Sequence, residues 1–148
     1  MVSVKVKVAR VHSDSKMPTK GSEFAAGWDL YSLEDTEVPF RKSVKLRTGI
    51  HVEIPEGFEG QVRARSSLGS KGLILPHSIG TIDADYRGEL FVLMTWIGEG
   101  DSYLVNAGER IAQIVITPVP KVFFEEVDIL DLGKTVRGDG GFGSTGKF

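Results

Sequence analysis

GTIDADYRGELFVLMTW, residues 80–96, joins a polar segment bounded by glycines to an apolar run, and its reading decides the fold. Leu90–Trp96 is a continuous apolar run but for Thr95 and is too short for a typical helix, so it reads as a central strand. The preceding GTIDADYRGEL predicts a β-hairpin with Asp and Gly at its bend. Working outward, Phe58–Arg65 alternates apolar with polar after the turn signal Pro55-Glu56-Gly57. Thr36–Phe40, Val44–Leu46 and His51–Ile54 are short strands of the same kind. Val2, Val4, Val6 and Val8 alternate with Ser3, Lys5 and Lys7, as in a half-buried strand with one wet face. On the far side, Arg110–Thr117 and Val122–Val127 are strands separated by Pro118 and Pro120. Only Ser66–Lys71 predicts a helix, and Gly69 limits it to a turn or two. Many short strands with Gly, Pro and Asp turns predict an all-β sandwich or barrel.

The chain has 148 residues, the length of one domain, with no internal repeat and no interior linker. Eighteen Lys and Arg against 20 Asp and Glu give a formal charge of −2, which argues against coating nucleic acid or an anionic membrane. There is no cysteine, which excludes disulfides, Cys-zinc sites and cysteine nucleophiles and fits a reducing compartment. MVSVKVKVAR lacks the apolar core of a signal peptide, and no apolar run approaches the ~20 residues of a membrane span. We therefore expect a cytoplasmic protein with no membrane partner.

From Gly133 the composition changes to GKTVRGDGGFGSTGKF. Such a segment buries little and carries high backbone entropy. It is either a frayed terminus or a tail that a ligand orders. The chain thus divides into a β domain over 1–132 and a Gly-rich tail over 133–148. GFGSTGKF matches a P-loop except at its last position, where Phe148 replaces Ser or Thr and no helix can follow. It is not a P-loop, but its glycine N–H groups and the Ser144 and Thr145 hydroxyls can cradle phosphate oxygens. His12, His51 and His77 stand in no metal-binding spacing, and the His and CxxC ligands of zinc nucleobase deaminases are missing.

Five segments are too polar and too Gly-rich for plain strand or turn: AAGWDLYS (25–32), RSSLGSKGL (65–73), GTIDADYRGEL (80–90), GERIAQIVI (108–116) and RGDGGFGSTG (137–146). In this order they resemble the five motifs of the trimeric dUTP diphosphatase (dUTPase) family, and the resemblance spans residues 25–146. It implies a distorted jelly-roll-like β-barrel with one short helix. It also implies Mg²⁺-dependent hydrolysis of dUTP to dUMP and pyrophosphate by water attack at the α-phosphorus.

The resemblance makes Asp83 the general base; Asp85 competes, and reads otherwise as a turn residue. A placed carboxylate contributes ~10²–10⁴-fold. Tyr86 is expected to pack on the deoxyribose where a 2′-OH would clash, or else to be a core tyrosine. Leu75–Thr81, with His77, Gly80, Thr81 and Ile82, is expected to read uracil through backbone groups. Cytosine would leave such a group unpaired. Arg65, Ser66 and Ser67 are implied phosphate ligands; a guanidinium fork and a helix start both suit phosphate. Gln113, a polar residue inside an apolar strand, needs a partner, and the resemblance supplies phosphate or the catalytic water. Asp29 either acts near Mg²⁺ through water or serves a local turn. Arg137, Phe142, Gly143, Ser144 and Thr145 are implied to close the site, with Phe142 over the uracil. The tail is expected to reach another subunit of a homotrimer. Many relatives carry Gly where this chain has Ser67, and many bacterial ones carry Asn where it has His77. Two other readings stay open: a dCTP deaminase of the same fold, alone or bifunctional, and a non-catalytic binding module.

Overall fold

A computed structural model describes residues 2–148. The strands are β1 (Lys7–Arg10), β2 (Thr19–Lys20), β3 (Trp28–Tyr31), β4 (Thr36–Pro39), β5 (Ser43–Glu53) and β6 (Phe58–Arg63). After the single α-helix α1 (Ser66–Lys71) come β7 (Leu73–Ile74), β8 (Gly80–Ile82), β9 (Glu89–Trp96), β10 (Ser102–Val105) and β11 (Arg110–Pro118). One sheet runs β1-β5-β9-β7 and the other β2-β3-β11-β6-β8, while β4 and β10 form a separate ribbon. All ladders within these sheets are antiparallel.

The core lies between the sheets. Leu46, Ile50, Leu90, Val92 and Met94 face it from one side, and Leu30, Val62, Ala112 and Ile114 from the other. The ribbon adds Val38 and Val105. The apolar run of β9 resolves into two faces: Leu90, Val92, Met94 and Trp96 are buried, whereas Phe91 between them is 42% exposed. This is the two-residue period of a strand covered on one face.

Three expectations are corrected. First, Val2–Val8 does not form one strand; pairing begins at Lys7, opposite Glu53. Ladder continuation past Glu53 would reach Ile54 and then Pro55, which has no N–H to give. Second, GTIDADYRGEL is not a hairpin. β8 pairs with β6 and β9 pairs with β5 and β7, so the segment crosses from one sheet to the other. The stretch before it does the same, since β7 and β8 lie in different sheets. Third, Val122–Val127 forms no strand. Every residue from Pro118 to Asp139 is exposed, Phe123 and Phe124 by 86% and 98%. Past the prolines this segment has left the barrel and has no neighbour to pair with. The helix, in contrast, has the expected bounds and ends at Gly72, whose φ of 111° suits glycine.

Candidate functional site

The residues singled out from sequence fall into three places. The first is a charged cluster at one edge of the β3-β11-β6 ladder. Asp29 lies opposite Gln113 on β11 and opposite Thr19 on β2. Two guanidinium groups converge on its carboxylate: Arg65 Nε is 3.4 Å from Oδ1 and Arg110 Nη1 is 3.7 Å from Oδ2. Arg65 Nη1 also donates to the Arg110 carbonyl at 3.1 Å. The β3-β11 register shifts next to that carbonyl, between Arg110 and Ala112. Gln113 Nε2 donates to the Ala64 carbonyl at 3.2 Å. Its Oε1 lies against the Cα of Gly27, where any Cβ would collide with it. A buried-strand glutamine thus satisfies its donor on main chain and keeps an acceptor free.

Arg65 leads directly into α1 with extended backbone, φ −87° and ψ 139°. No side chain caps the helix, so the first-turn N–H groups beside Ser66 and Ser67 have no capping partner. Both serines are exposed. The role of Arg110 was not singled out from sequence. Its signal was a charged residue opening an otherwise apolar strand, which surface position alone would also explain.

The second place is β8 and the turn after it. β8 is the outermost strand of its sheet, so one row of its N–H and C=O groups has no strand neighbour. The His77 ring sits against Gly80, with Cε1 3.2 Å from where a Cβ would project. Ser78 takes a left-handed φ of 69° in the connecting turn. Tyr86 N donates to Asp83 O at 3.1 Å, closing a turn with Ala84 and Asp85 at its centre. The Tyr86 ring folds back over Gly88 and its hydroxyl donates to Glu89 O at 2.7 Å. Asp83 and Tyr86 are both exposed. Behind the turn, Arg47 grips Glu89 through Nε and Nη2 at 3.1 and 2.8 Å. That contact holds the Glu89 carboxyl below its ordinary range, the hydrogen bond from Arg47 being the main cause.

The third place is the tail, whose hydrogen bonds among the described residues all stay within it. Arg137 Nε donates to Gly140 O at 2.6 Å and Ser144 N to Gly141 O at 3.1 Å. Phe142 is fully exposed with φ 47°, and Gly143, Ser144 and Thr145 are exposed beside it.

One chain does not join these places. Ile82 pairs with Gly60, so the register carries Asp83 level with Glu59, near the Phe58 end of β6, whereas Arg65 lies past the Arg63 end. Six residues of strand separate the two levels, roughly 20 Å. Two open cavities flank the groups instead of enclosing them. One of about 510 Å³ is lined by Ala84, Asp85 and Arg87, and one of about 660 Å³ by Thr19 and Tyr31. Among the described residues no three His, Asp or Glu side chains converge as metal ligands. Asp29 already faces two cations. Asp29 is thus the one carboxylate of this cluster near which a cation carried by a ligand could sit.

The sheets and their order define an all-β barrel of jelly-roll type. Its fold matches a Staphylococcus bacteriophage 80alpha dUTPase mutant solved with dUpNHpp, at a TM-score of 0.82 and 27% identity over 97% of this chain and 99% of that one. A mutant dUTPase from phage phi11 of S. aureus, described as coordinating a structural Mg(II) ion, shares the fold at a TM-score of 0.78 and 24% identity, covering 86% and 99%. The deoxyuridine 5'-triphosphate nucleotidohydrolase of Syntrophotalea carbinolica is 46% identical over 99% of both chains. The dUTPase family model matches residues 13–146. The chain belongs to the dUTPase family.

Proposed function

We propose that this protein hydrolyses dUTP to dUMP and pyrophosphate, lowering dUTP and supplying dUMP. Water attacks the α-phosphorus and Asp83 accepts its proton. The bond from that phosphorus to the bridging oxygen breaks, and pyrophosphate leaves. Asp83 suits the task because it is exposed and its turn is braced by Tyr86 and Glu89.

The observation that carries the reading is β8, an edge strand ending at that carboxylate. Its unpaired main-chain groups can read a base edge by fixed donors and acceptors, as a peptide strand would be read. A group set to donate to the uracil 4-oxygen meets a second donor in cytosine and loses the bond. Leu75–Thr81, His77 included, forms the wall of that pocket, and Tyr86 lies where the sugar follows the base.

Arg65, Ser66, Ser67 and Gln113 take the phosphates, with the Gln113 Oε1 available to the attacking water. A water on Asp83 and a phosphate on Arg65 must come within a few ångströms. Roughly 20 Å of strand separates the two in one chain, so the site forms between copies. We therefore propose a homotrimer, with residues 133–148 of one copy closing over a site of another. In that closure Phe142 covers the base, and Arg137, Gly143, Ser144 and Thr145 cover the phosphates. Mg²⁺ carried on the triphosphate would neutralise its charge, with Asp29 reaching it at most through water. No helix among the described residues is long and apolar enough to cross a membrane. We place the activity in the cytoplasm.

The test is a product assay across dUTP, dCTP, dTTP and UTP, with and without Mg²⁺. Pyrophosphate from dUTP alone, requiring Mg²⁺, is expected. Ammonia from dCTP would mark a deaminase, and no product from any of the four would mark a binding module.

A further inference from the structure

We propose that Arg110 is a positioning residue that sets how Arg65 presents its guanidinium to phosphate; this rests on the phosphate role given to Arg65 above. Arg65 is a long side chain at the edge of a loop, and free rotation would scatter it. Two contacts restrain it, and Arg110 takes part in both. The Arg110 carbonyl, beside the register shift of β11, accepts from Arg65 Nη1 at 3.1 Å. The Arg110 guanidinium competes with Arg65 for one carboxylate, that of Asp29, at 3.7 Å against 3.4 Å. Both contacts to Asp29 are ion pairs, not aligned hydrogen bonds. Arg65 Nη2 makes no hydrogen bond among the described residues, which leaves it available to a ligand.

The sharing is the essential point. Asp29 is only 16% exposed, so its charge is poorly screened. Without Arg110 its full charge would fall on Arg65. The expected result is a tighter carboxylate–guanidinium fork that draws Arg65 away from phosphate. Arg110 thus keeps Asp29 a guide for Arg65 instead of a trap. Arg110 itself is half exposed, so its replacement leaves the core untouched.

The test is a double-mutant cycle on the full chain with Arg110→Gln, Arg65→Gln and both together, with Arg110→Lys as the conservative variant. Arg110→Gln is expected to lower kcat/KM for dUTP on the order of tenfold, with an unchanged thermal transition. In the Arg65→Gln background the same change should cost less than about twofold, because the side chain it guides is gone. Arg110→Lys should recover most of the loss, since an ammonium also shares the charge of Asp29. Affinity for inorganic tripolyphosphate, measured by calorimetry on the same four proteins, should follow the same pattern. That arm reads the positioning even if dUTP proves not to be the substrate. Unchanged behaviour of Arg110→Gln, or an equal loss with and without Arg65, would overturn the proposal. The additive result would mean that Arg110 meets phosphate itself.

Discussion

Asp83 and Arg65 lie toward opposite ends of the same six-residue strand, β6: Asp83 follows the partner strand β8 and comes level with Glu59, and Arg65 follows β6 itself beyond Arg63. Neither hydrogen bonds nor ion pairs connect them among the described residues. Chains that carry only one of the two should therefore complement each other. Asp83→Asn and Arg65→Ala proteins, each nearly inactive, are mixed, unfolded and refolded together. If sites form between copies, random trimers give about a quarter of sites with both residues intact, and activity returns to that order. A mixture as inactive as its parents would place the whole site in one chain.

Removal of residues 134–148 should leave the barrel intact. The tail makes hydrogen bonds only to itself, and none of its residues belongs to the core. We predict an unchanged thermal transition and an unchanged oligomer by light scattering, with dUTP hydrolysis reduced at least tenfold, about 1.4 kcal/mol of barrier. Full activity of the truncated protein would make the tail a frayed end.

Gly27→Ala should act on turnover more than on stability. The added Cβ would occupy the place of the Gln113 amide oxygen, and the end of that side chain can swing away. Its bond to the Ala64 carbonyl and its aim at the attacking water are then lost together. We expect kcat to fall several-fold while the denaturant midpoint moves little; a normal kcat would remove Gln113 from the site.

Much of this was legible from the residues, and the failures have physical causes. The helix bounds could be read because Gly69 allows no more than a turn or two after Ser66, although the chain leaves the helix at Gly72. β9 could be read because an apolar run of that length cannot be a wet helix. The motif segments named Asp29, Arg65 and Gln113, which the fold brings together. The crossing of residues 80–90 between sheets could not be read, since a turn with Asp and Gly looks the same whether its arms pair with each other or with different neighbours. Val122–Val127 has the composition of a strand, but pairing needs a neighbour and this chain offers none there. Arg110 stayed hidden because its part depends on a register shift, which leaves no mark on the alternation of residue types.

Stability should weaken in acid through Glu89. Its folded pKa lies below the ordinary 4.5, chiefly through the hydrogen bond from Arg47. The stabilisation is therefore present above the unfolded value and is lost as pH falls through the folded one. Replacement by Glu89→Gln should flatten the acid limb of a melting-temperature profile below about pH 4.5. An acid limb as steep as that of the unmodified protein would show that the Arg47–Glu89 pair contributes nothing there.

Activation by Asp83 of the water that cleaves dUTP is the step on which the proposed function rests. It is tested most directly by pyrophosphate release from dUTP with Mg²⁺, measured side by side for the unmodified protein and Asp83→Asn, with binding of dUpNHpp as the control for an intact site. A ~10²–10⁴-fold loss of turnover with the analogue still bound is expected. Turnover by Asp83→Asn within about twofold of the unmodified protein would contradict it.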